Sequence, residues 1–311
     1  MRFVFVMDPP ETVVVDQDTT FAFMLEAQDR GHQIDHCLPR DVYLDMGRVF
    51  ARVRPAYVQQ NPAPPVMLRE AEDLCLHEVD AVFVRKDPPF DNNYLWLTQM
   101  LERVTNDTLV INRPRGLRDA NEKLYACHFP ELMPDTLVTS DKGRIRSFVE
   151  RVGGRAVIKP LDGAGGEGVM VLTAGDLNVN AIIEATTRQS TRVAMVQRFL
   201  PEVKTGDKRI LLLDGEPLGA ILRVPKADEA RSNIHVGGTV ERVALDARDL
   251  SIIAALKPRL AEDGLWFVGL DVIGGLLTEV NVTSPTGIQQ MSHLDGVNLS
   301  ARVIDWVETR T

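Results

Sequence analysis

Residues 269–287 read Gly269-Leu-Asp-Val-Ile-Gly-Gly-Leu-Leu-Thr-Glu-Val-Asn-Val-Thr-Ser-Pro-Thr-Gly287. Apolar and β-branched residues interrupted by Gly274-Gly275 predict two short strands joined by a tight turn, with Asp271 on the first strand and Glu279 and Asn281 on the second. Side chains two apart on a strand share a face, so Glu279 and Asn281 point the same way. Carboxylate and amide oxygens are the donors a hard ion such as Mg²⁺ takes when phosphates complete its shell. Asp271 can join them only in one parity of register. Directly opposite residues of an antiparallel pair share a face, and a simple two-residue turn pairing Ile273 with Leu276 would send Asp271 to the face away from Glu279. A shared site therefore requires a connection of odd length, most simply three residues, or a bulge, with Gly274 or Gly275 left-handed. The run Thr283-Ser-Pro-Thr-Gly287 consists of hydroxyls and turn formers unsuited to a packed strand end, which favours a site over a hairpin whose polar face merely meets water.

A chain of 311 residues suffices for two or three compact domains. Its 35 Lys and Arg against 44 Asp and Glu give a formal net charge of −9 with no basic stripe, which argues against a nucleic-acid partner. No window approaches the roughly 20 apolar residues of a membrane span. Residues 1–8 carry one basic residue and a brief apolar run, the pattern of a first strand rather than a secretory leader, so a cytoplasmic location is expected. Cys37, Cys75 and Cys127 are widely spaced and suggest neither a disulfide framework nor structural zinc.

In chain order, a strand at 4–7, a helix at 21–30 capped by Thr19-Thr20 and a strand at 33–37 form a βαβ opening. His32-x-x-x-His36 has metal-site spacing but lies on a strand pattern, which argues against a metal. Residues 41–54 predict a hairpin turning at Met46-Gly47. The buried-strand run 81–84 ends at Arg85-Lys86. Open α/β sheets bind ligands beyond the carboxyl ends of their strands, so Arg85 either holds a carboxylate or belongs to a solvated charge pair. A helix at 93–105 and a strand at 109–111 complete a first domain, and the polar run 117–125 predicts an exposed helix start.

A helix at 141–152 precedes a strand at 156–160, which runs into Leu161-Asp-Gly-Ala-Gly-Gly-Glu-Gly168 and then a strand at 169–172. Backbone N–H groups of this loop can close on phosphate oxygens, with Lys159 at its base. The loop lacks the Gly-Lys-Ser/Thr of a Walker A motif and no helix follows, so a plain loop is the alternative. A helix near 181–188 and a strand at 193–196 follow, and Gln197-Arg-Phe-Leu-Pro201 suits a hinge whose free backbone groups hold a flat base. Arg209 and Arg223 flank a hairpin at 210–224 turned by Asp214-Gly215. Residues 225–238, with Lys226, Arg231 and Asn233, predict a mobile loop and, in its functional version, a lid. Helices at 246–264 and 297–308 flank the final hairpin.

Taken in order, Arg85-Lys-Asp-Pro-Pro-Phe-Asp91, Leu117-Arg-Asp-Ala-Asn-Glu-Lys123, Lys159-Pro-Leu-Asp-Gly163, Gly206-Asp-Lys-Arg209 with Asp214-Gly-Glu-Pro217, and 269–271 through 278–286 closely resemble the bacterial glutathione synthetases of the ATP-grasp superfamily. The resemblance implies α/β and α+β structure: an ATP-grasp fold with an N-terminal Rossmann-like (pre-ATP-grasp) domain over 1–118, a central lobe over 119–200 and a C-terminal lobe with the metal hairpin over 201–311. It implies ATP-dependent joining of γ-glutamylcysteine to glycine through an acyl phosphate, by a homo-oligomer. In this resemblance Lys123 and Lys159 contact the nucleotide phosphates, Gly163, Gly165 and Gly166 cover the γ-phosphate, Gln197, Phe199 and Leu200 hold adenine, and Asp207 lies near the ribose. Asp271, Glu279 and Asn281 hold two Mg²⁺, with Mn²⁺ an alternative. Lys159, Arg209 and Arg223 act in catalysis, and Arg85, Arg209, Arg223, Arg231, Asn233, Ser284 and Thr286 contact the substrates. Ala164 departs from an expected methionine, and Gln289-Gln290 from more acidic residues.

Such chemistry suits these residue types independently of any family. A carboxylate must be phosphorylated before it acylates an amine, and that transfer is mostly positioning plus neutralisation of oxygen charge. An acyl phosphate needs protection from water, a task for a closing loop. The competing expectations are an ATP-grasp ligase with another acyl donor or amine acceptor, and a nucleotide-binding relative without catalysis.

Overall fold

The structure is a computed structural model, and it describes residues 1–61, 64–163, 165–225 and 238–311. Three sheets follow one another along the chain. The first contains β1 (Arg2–Met7), β2 (Gln33–Cys37), β3 (Val42–Asp45), β4 (Arg48–Val58), β5 (Val66–Leu68), β6 (Glu72–Cys75), β7 (Ala81–Arg85) and β8 (Leu109–Ile111). Its order is β3-β4-β2-β1-β7-β8, with β5 and β6 also paired to β4. β2, β1, β7 and β8 run parallel, and β4 joins them antiparallel. Parallel strands are buried on both faces, which explains the unbroken apolar run at 3–7. Phe3 and Phe5 pack towards α1 (Thr19–Asp29), while Val4 and Val6 pack with Tyr94, Leu97 and Leu101 of α2 (Asn92–Leu101). The cap of α1 is Asp18, whose side chain accepts from the Phe21 N–H at 2.7 Å, rather than Thr19-Thr20. Asp91 caps α2 in the same way.

After α3 (Pro114–Asp119), the middle sheet holds β9 (Thr136–Thr139), β10 (Arg155–Pro160), β11 (Met170–Thr173) and β12 (Ala194–Arg198), antiparallel in the order β11-β10-β12-β9. Together with α4 (Lys142–Arg151) and α5 (Val179–Thr186) it encloses a core of its own around Ile145, Phe148, Ile158 and Val196. The third sheet holds β13 (Asp207–Leu213), β14 (Glu216–Val224), β15 (Thr239–Arg242), β16 (Phe267–Ile273) and β17 (Leu276–Asn281), in the order β15-β14-β13-β16-β17. It shares its cores with the first sheet, packing Ile210, Leu212 and Leu270 with the Val4 group, and Leu211 and Ile221 with the Phe3 group. The α6 helix (Ala247–Asp263) begins at a capping box of Asp246 and Asp249 and ends at left-handed Gly264. It is followed after the third sheet by α7 (Ile288–Asp295) and α8 (Leu299–Glu308). Among the described residues no helix is long and apolar enough to cross a membrane.

The polar run 117–125 is not an exposed helix start. Leu117, Ala120, Lys123 and Tyr125 are buried, and the helix ends at Asp119. Its polarity serves the interior, as the site makes plain.

Candidate active site

One face of the third sheet gathers the charged residues. The register pairs Asp207 with Arg223, Arg209 with Asp271, Asp271 with Glu279, and Gly269 with Asn281, so all of these lie on one side. The β16–β17 turn is the two-residue Gly274-Gly275, both left-handed at φ +57° and +75°. It pairs Ile273 with Leu276 and Val272 with Leu277, after which the ladder shifts by one residue and Asp271 meets Glu279. Thr278 is the extra residue, and its hydroxyl donates to the Asp271 carbonyl at 3.1 Å. The bulge breaks the period of two, so Leu277 and Val280 both enter the core although they are three positions apart, and Glu279 faces the cleft. Gly269 permits a close approach here. A Cβ at that position would lie 2.9 Å from the Pro285 Cβ.

Charges on this face neutralise one another. Arg209 grips Asp271 through Nε at 2.5 Å and Nη2 at 3.1 Å, and Arg223 lies 3.0 Å from the same carboxylate while also bonding Asp207. Burial pushes the Asp271 carboxyl up, but the two guanidinium charges more than reverse this and hold it well below the usual carboxylate range. Glu279 sits between Lys123 Nζ at 3.3 Å and Lys159 Nζ at 3.6 Å. Burial raises its carboxyl too, and the lysine charges bring it below its ordinary value. Lys159, which donates to the Thr278 carbonyl at 3.2 Å, is lowered chiefly by burial, against the pull of Glu279. Lys123 Nζ donates to the Gly163 carbonyl at 2.6 Å and so reaches the glycine-rich loop.

Two cavities meet at Lys123. The first lies between the middle and third sheets, lined by Val157, Val169 and Val171, by Gly163, Gly165 and Gly166, by Gln197, Phe199 and Leu200, and by Lys123, Lys159, Asp207, Asp271 and Glu279. Its walls combine an apolar slot, a loop of backbone amides and two ammonium groups. Among the described residues, no partner meets the N–H of Leu200, while the Gln197 amide is turned to Thr136 Oγ1 at 3.2 Å. The second cavity lies between the third sheet and loops of the first, lined by Asp18, Asp87, Glu122, Arg209, Arg223, Asn281, Ser284, Thr286 and Gln290. Lys123, Gly163, Gly165 and Glu279 border both.

Arg85 lies outside both cavities. Its guanidinium is buried, donates to Thr20 Oγ1 at 3.0 Å and to the Pro285 carbonyl at 2.9 Å, and sits 5.7 Å and 5.5 Å from the ring centres of Phe23 and Phe267. Burial pushes it down to about 10, still protonated at neutral pH. The expected carboxylate holder thus anchors the Pro285 turn instead. Arg231 and Asn233 lie, with nearly all of the expected lid, outside the described residues. Gln289 bonds the carbonyls of Val15 and Asp18 at 2.8 and 2.6 Å, which leaves Gln290 as the member of that pair in the second cavity. His32 bonds Glu308 and His36 bonds the Asp8 carbonyl, so that spacing forms no metal pair. Two residues not singled out from the sequence also build the site. Asn112 bonds the carbonyls of Phe267 and Val282 and the N–H groups of Trp266 and Phe267, fastening the hairpin, and Glu122 binds the turn after β17. Their signal was a polar residue at a buried position, which one sequence does not reveal.

Two family models match the chain: prokaryotic glutathione synthetase, N-terminal domain, over residues 1–118, and prokaryotic glutathione synthetase, ATP-grasp domain, over residues 122–296. The chain belongs to the prokaryotic glutathione synthetase family. Glutathione synthetase of Gloeobacter violaceus is 47% identical over 99% of this chain and 96% of its own, and that of Synechocystis sp. is 46% identical over 99% of each. The Brucella melitensis enzyme is 44% identical over 98% of this chain. Among solved structures, D-cycloserine synthetase DcsG superposes with TM-score 0.68 over 99% of this chain and all of its own at 15% identity, and a RimK domain ATP-grasp protein of Sphaerobacter thermophilus with 0.64 over 98% of each at 18%. Identities so low speak for the ATP-grasp fold alone. A glutathione synthetase of this family uses ATP and a divalent metal, and the donor set fits one. Among the described residues no group of three His, Cys, Asp or Glu forms a self-sufficient metal cage. Glu279 and Asn281 nevertheless share a face with Asp271, and the Asn281 amide nitrogen donates to the Gly269 carbonyl at 3.2 Å, which leaves its oxygen as the donor. Two carboxylates and an amide match a hard cation completed by phosphate oxygens, and the grip of two arginines on Asp271 makes Glu279 and Asn281 its more available ligands.

Proposed function

We propose that this chain joins γ-glutamylcysteine to glycine at the expense of ATP, giving glutathione, ADP and phosphate. The observation that carries this reading is the junction of the two cavities at Lys123, Gly163, Gly165 and Glu279, the point where a nucleotide's terminal phosphate can meet a second ligand's carboxylate. In the first cavity the apolar slot takes the base, the open Leu200 N–H can donate to it, and Asp207 lies towards the ribose. Gly163, Gly165 and Gly166 with Lys123 and Lys159 hold the phosphates. In the second, Arg209, Arg223, Ser284 and Thr286 orient the peptide.

One oxygen of the cysteinyl carboxylate attacks the γ-phosphorus and ADP leaves. The amine of glycine, after losing a proton, attacks the acyl carbon, and phosphate departs with the attacking oxygen. Lys123, Lys159, Arg209 and Arg223 supply positive charge where oxygen charge gathers, and no side-chain nucleophile is required. Mg²⁺ held by Glu279 and Asn281, with Asp271, would neutralise the phosphate charge when bound, and Mn²⁺ presents similar chemistry. Cytoplasmic location, a homo-oligomeric state, and domains at 1–118, 119–200 and 201–311 complete this reading.

An amine-acceptor screen with γ-glutamylcysteine and ATP tests it. ADP release should depend on γ-glutamylcysteine and be fastest with glycine. Faster turnover with another amine, or with another acyl donor, would make the chain a different carboxylate-amine ligase.

A further inference from the structure

Asn121, Glu122 and Lys123 hold parts of the site that belong to different sheets. Asn121 Nδ2 donates to the Leu161 carbonyl at 2.9 Å and Lys123 Nζ to that of Gly163, so the first and third residues hold the glycine-rich loop. Glu122 engages the other side. Its backbone carbonyl accepts from Val280 N–H at 3.0 Å. Its Oε1 accepts from the N–H of Val282 at 3.0 Å, the N–H of Thr283 at 3.1 Å and the hydroxyl of Thr283 at 2.8 Å.

The turn that Glu122 grips carries Ser284 and Thr286 into the second cavity. Its carbonyls are held by two arginines, Pro285 by Arg85 and Thr286 by Arg209 at 3.2 Å, and its amides by Glu122. Buried backbone amides demand an acceptor, and without the Glu122 oxygen those of Val282 and Thr283 must move to find one. The glycine-rich loop keeps its own ties through Asn121 and Lys123, so such a move reaches the second cavity and spares the first.

We propose that Glu122 is a positioning residue for the peptide half of the reaction: by collecting the Val282 and Thr283 amides it fixes where Ser284 and Thr286 meet γ-glutamylcysteine, while leaving nucleotide binding untouched. This rests on the glutathione synthetase reading. What matters is an acceptor oxygen at that place, which the amide of glutamine supplies and alanine does not.

The test compares wild-type protein, Glu122→Ala and Glu122→Gln in steady-state kinetics with γ-glutamylcysteine, glycine and ATP, together with calorimetric binding of a non-hydrolysable ATP analogue. Glu122→Ala should raise the KM for γ-glutamylcysteine by about tenfold or more and lower kcat/KM by about a hundredfold, with analogue affinity within about threefold of wild type, and Glu122→Gln should recover kcat/KM to within about fivefold. Equal loss of analogue and peptide affinity in Glu122→Ala, peptide kinetics within threefold of wild type, or a glutamine variant as impaired as alanine would each overturn the proposal. If the alanine variant fails to fold, Glu122→Gln decides alone: a peptide KM raised more than about twentyfold contradicts the acceptor role. A wild-type protein that makes no glutathione overturns the functional reading, and this inference with it.

Discussion

Asp271 and Glu279 face each other across one rung of the β16–β17 ladder although only a two-residue turn separates their strands, because Thr278 is bulged out of the pairing. The bulge does two things at once. It brings Glu279 to the cleft face beside Asp271, and it frees the Thr278 carbonyl to receive Lys159.

Glu279 answers the charge of two buried lysines. In Glu279→Gln the amide keeps the shape but no longer offsets Lys123 and Lys159 or attracts a divalent cation. The expected result is a folded protein whose kcat falls by at least ten- to a hundredfold, since a charge-assisted bond contributes roughly 1.5–3 kcal/mol. Turnover within threefold of wild type at saturating Mg²⁺ would remove Glu279 from the metal and phosphate machinery.

Lys159→Met replaces an ammonium group at the floor of the first cavity with an apolar chain of similar length. Nucleotide affinity, measured by calorimetry without the peptide, should weaken by about ten- to a hundredfold on the same scale. Unchanged affinity would mean that Lys159 only completes the Glu279 and Thr278 contacts.

The Asp271 pair with Arg209 and Arg223 predicts a pH signature. Its folded carboxyl ionises below the unfolded value of about 3.9, so its stabilisation is whole above that pH and is lost as pH falls through the folded value. Asp271→Asn leaves two guanidinium groups facing a neutral amide and should cost about 3–5 kcal/mol in urea unfolding at pH 7, as for a buried pair broken on one side. The gap between variant and wild type should hold from pH 7 to 5 and narrow only below about pH 4. A gap that closes by pH 6 would contradict this origin.

Much of this site could be read from the chain because strand periodicity is a hard constraint. With Gly274-Gly275 as the turn, the parity of Asp271 and Glu279 demanded a bulge or an odd turn, and the bulge is present. The strand at 109–111 and the long helix before the hairpin were equally plain, the latter through Asp246 and Gly264 at its ends. Arg85 was not legible. A strand end tells where the Cα sits, whereas the direction of the guanidinium is set by Phe23, Phe267 and Pro285, far along the chain. The run 117–125 misled for a related reason. Polar residues there satisfy backbone groups of Leu161, Gly163 and Val282, and local sequence cannot distinguish such polarity from a solvated face. The α7 helix escaped notice because only Ile288 and Met291 of its eight residues are buried, too few for a periodic stripe.

Gly269→Ala tests the close approach between β16 and the Pro285 turn. The added methyl would sit 2.9 Å from the Pro285 Cβ and 3.4 Å from the Arg209 Cδ, so the turn must shift. Unfolding free energy should fall by about 1–3 kcal/mol, and the KM for γ-glutamylcysteine should rise more than that for ATP. Equal change in both would show that the turn does not define the peptide cavity.

The meeting of the two cavities implies that a carboxylate is phosphorylated before an amine displaces the phosphate. The direct measurement uses γ-glutamylcysteine carrying ¹⁸O in its cysteinyl carboxylate, with unlabelled ATP and glycine, and mass analysis of the phosphate released. Transfer through an acyl phosphate places one ¹⁸O atom in each phosphate formed with glutathione. Phosphate free of label, at the same yield of glutathione, would contradict the account.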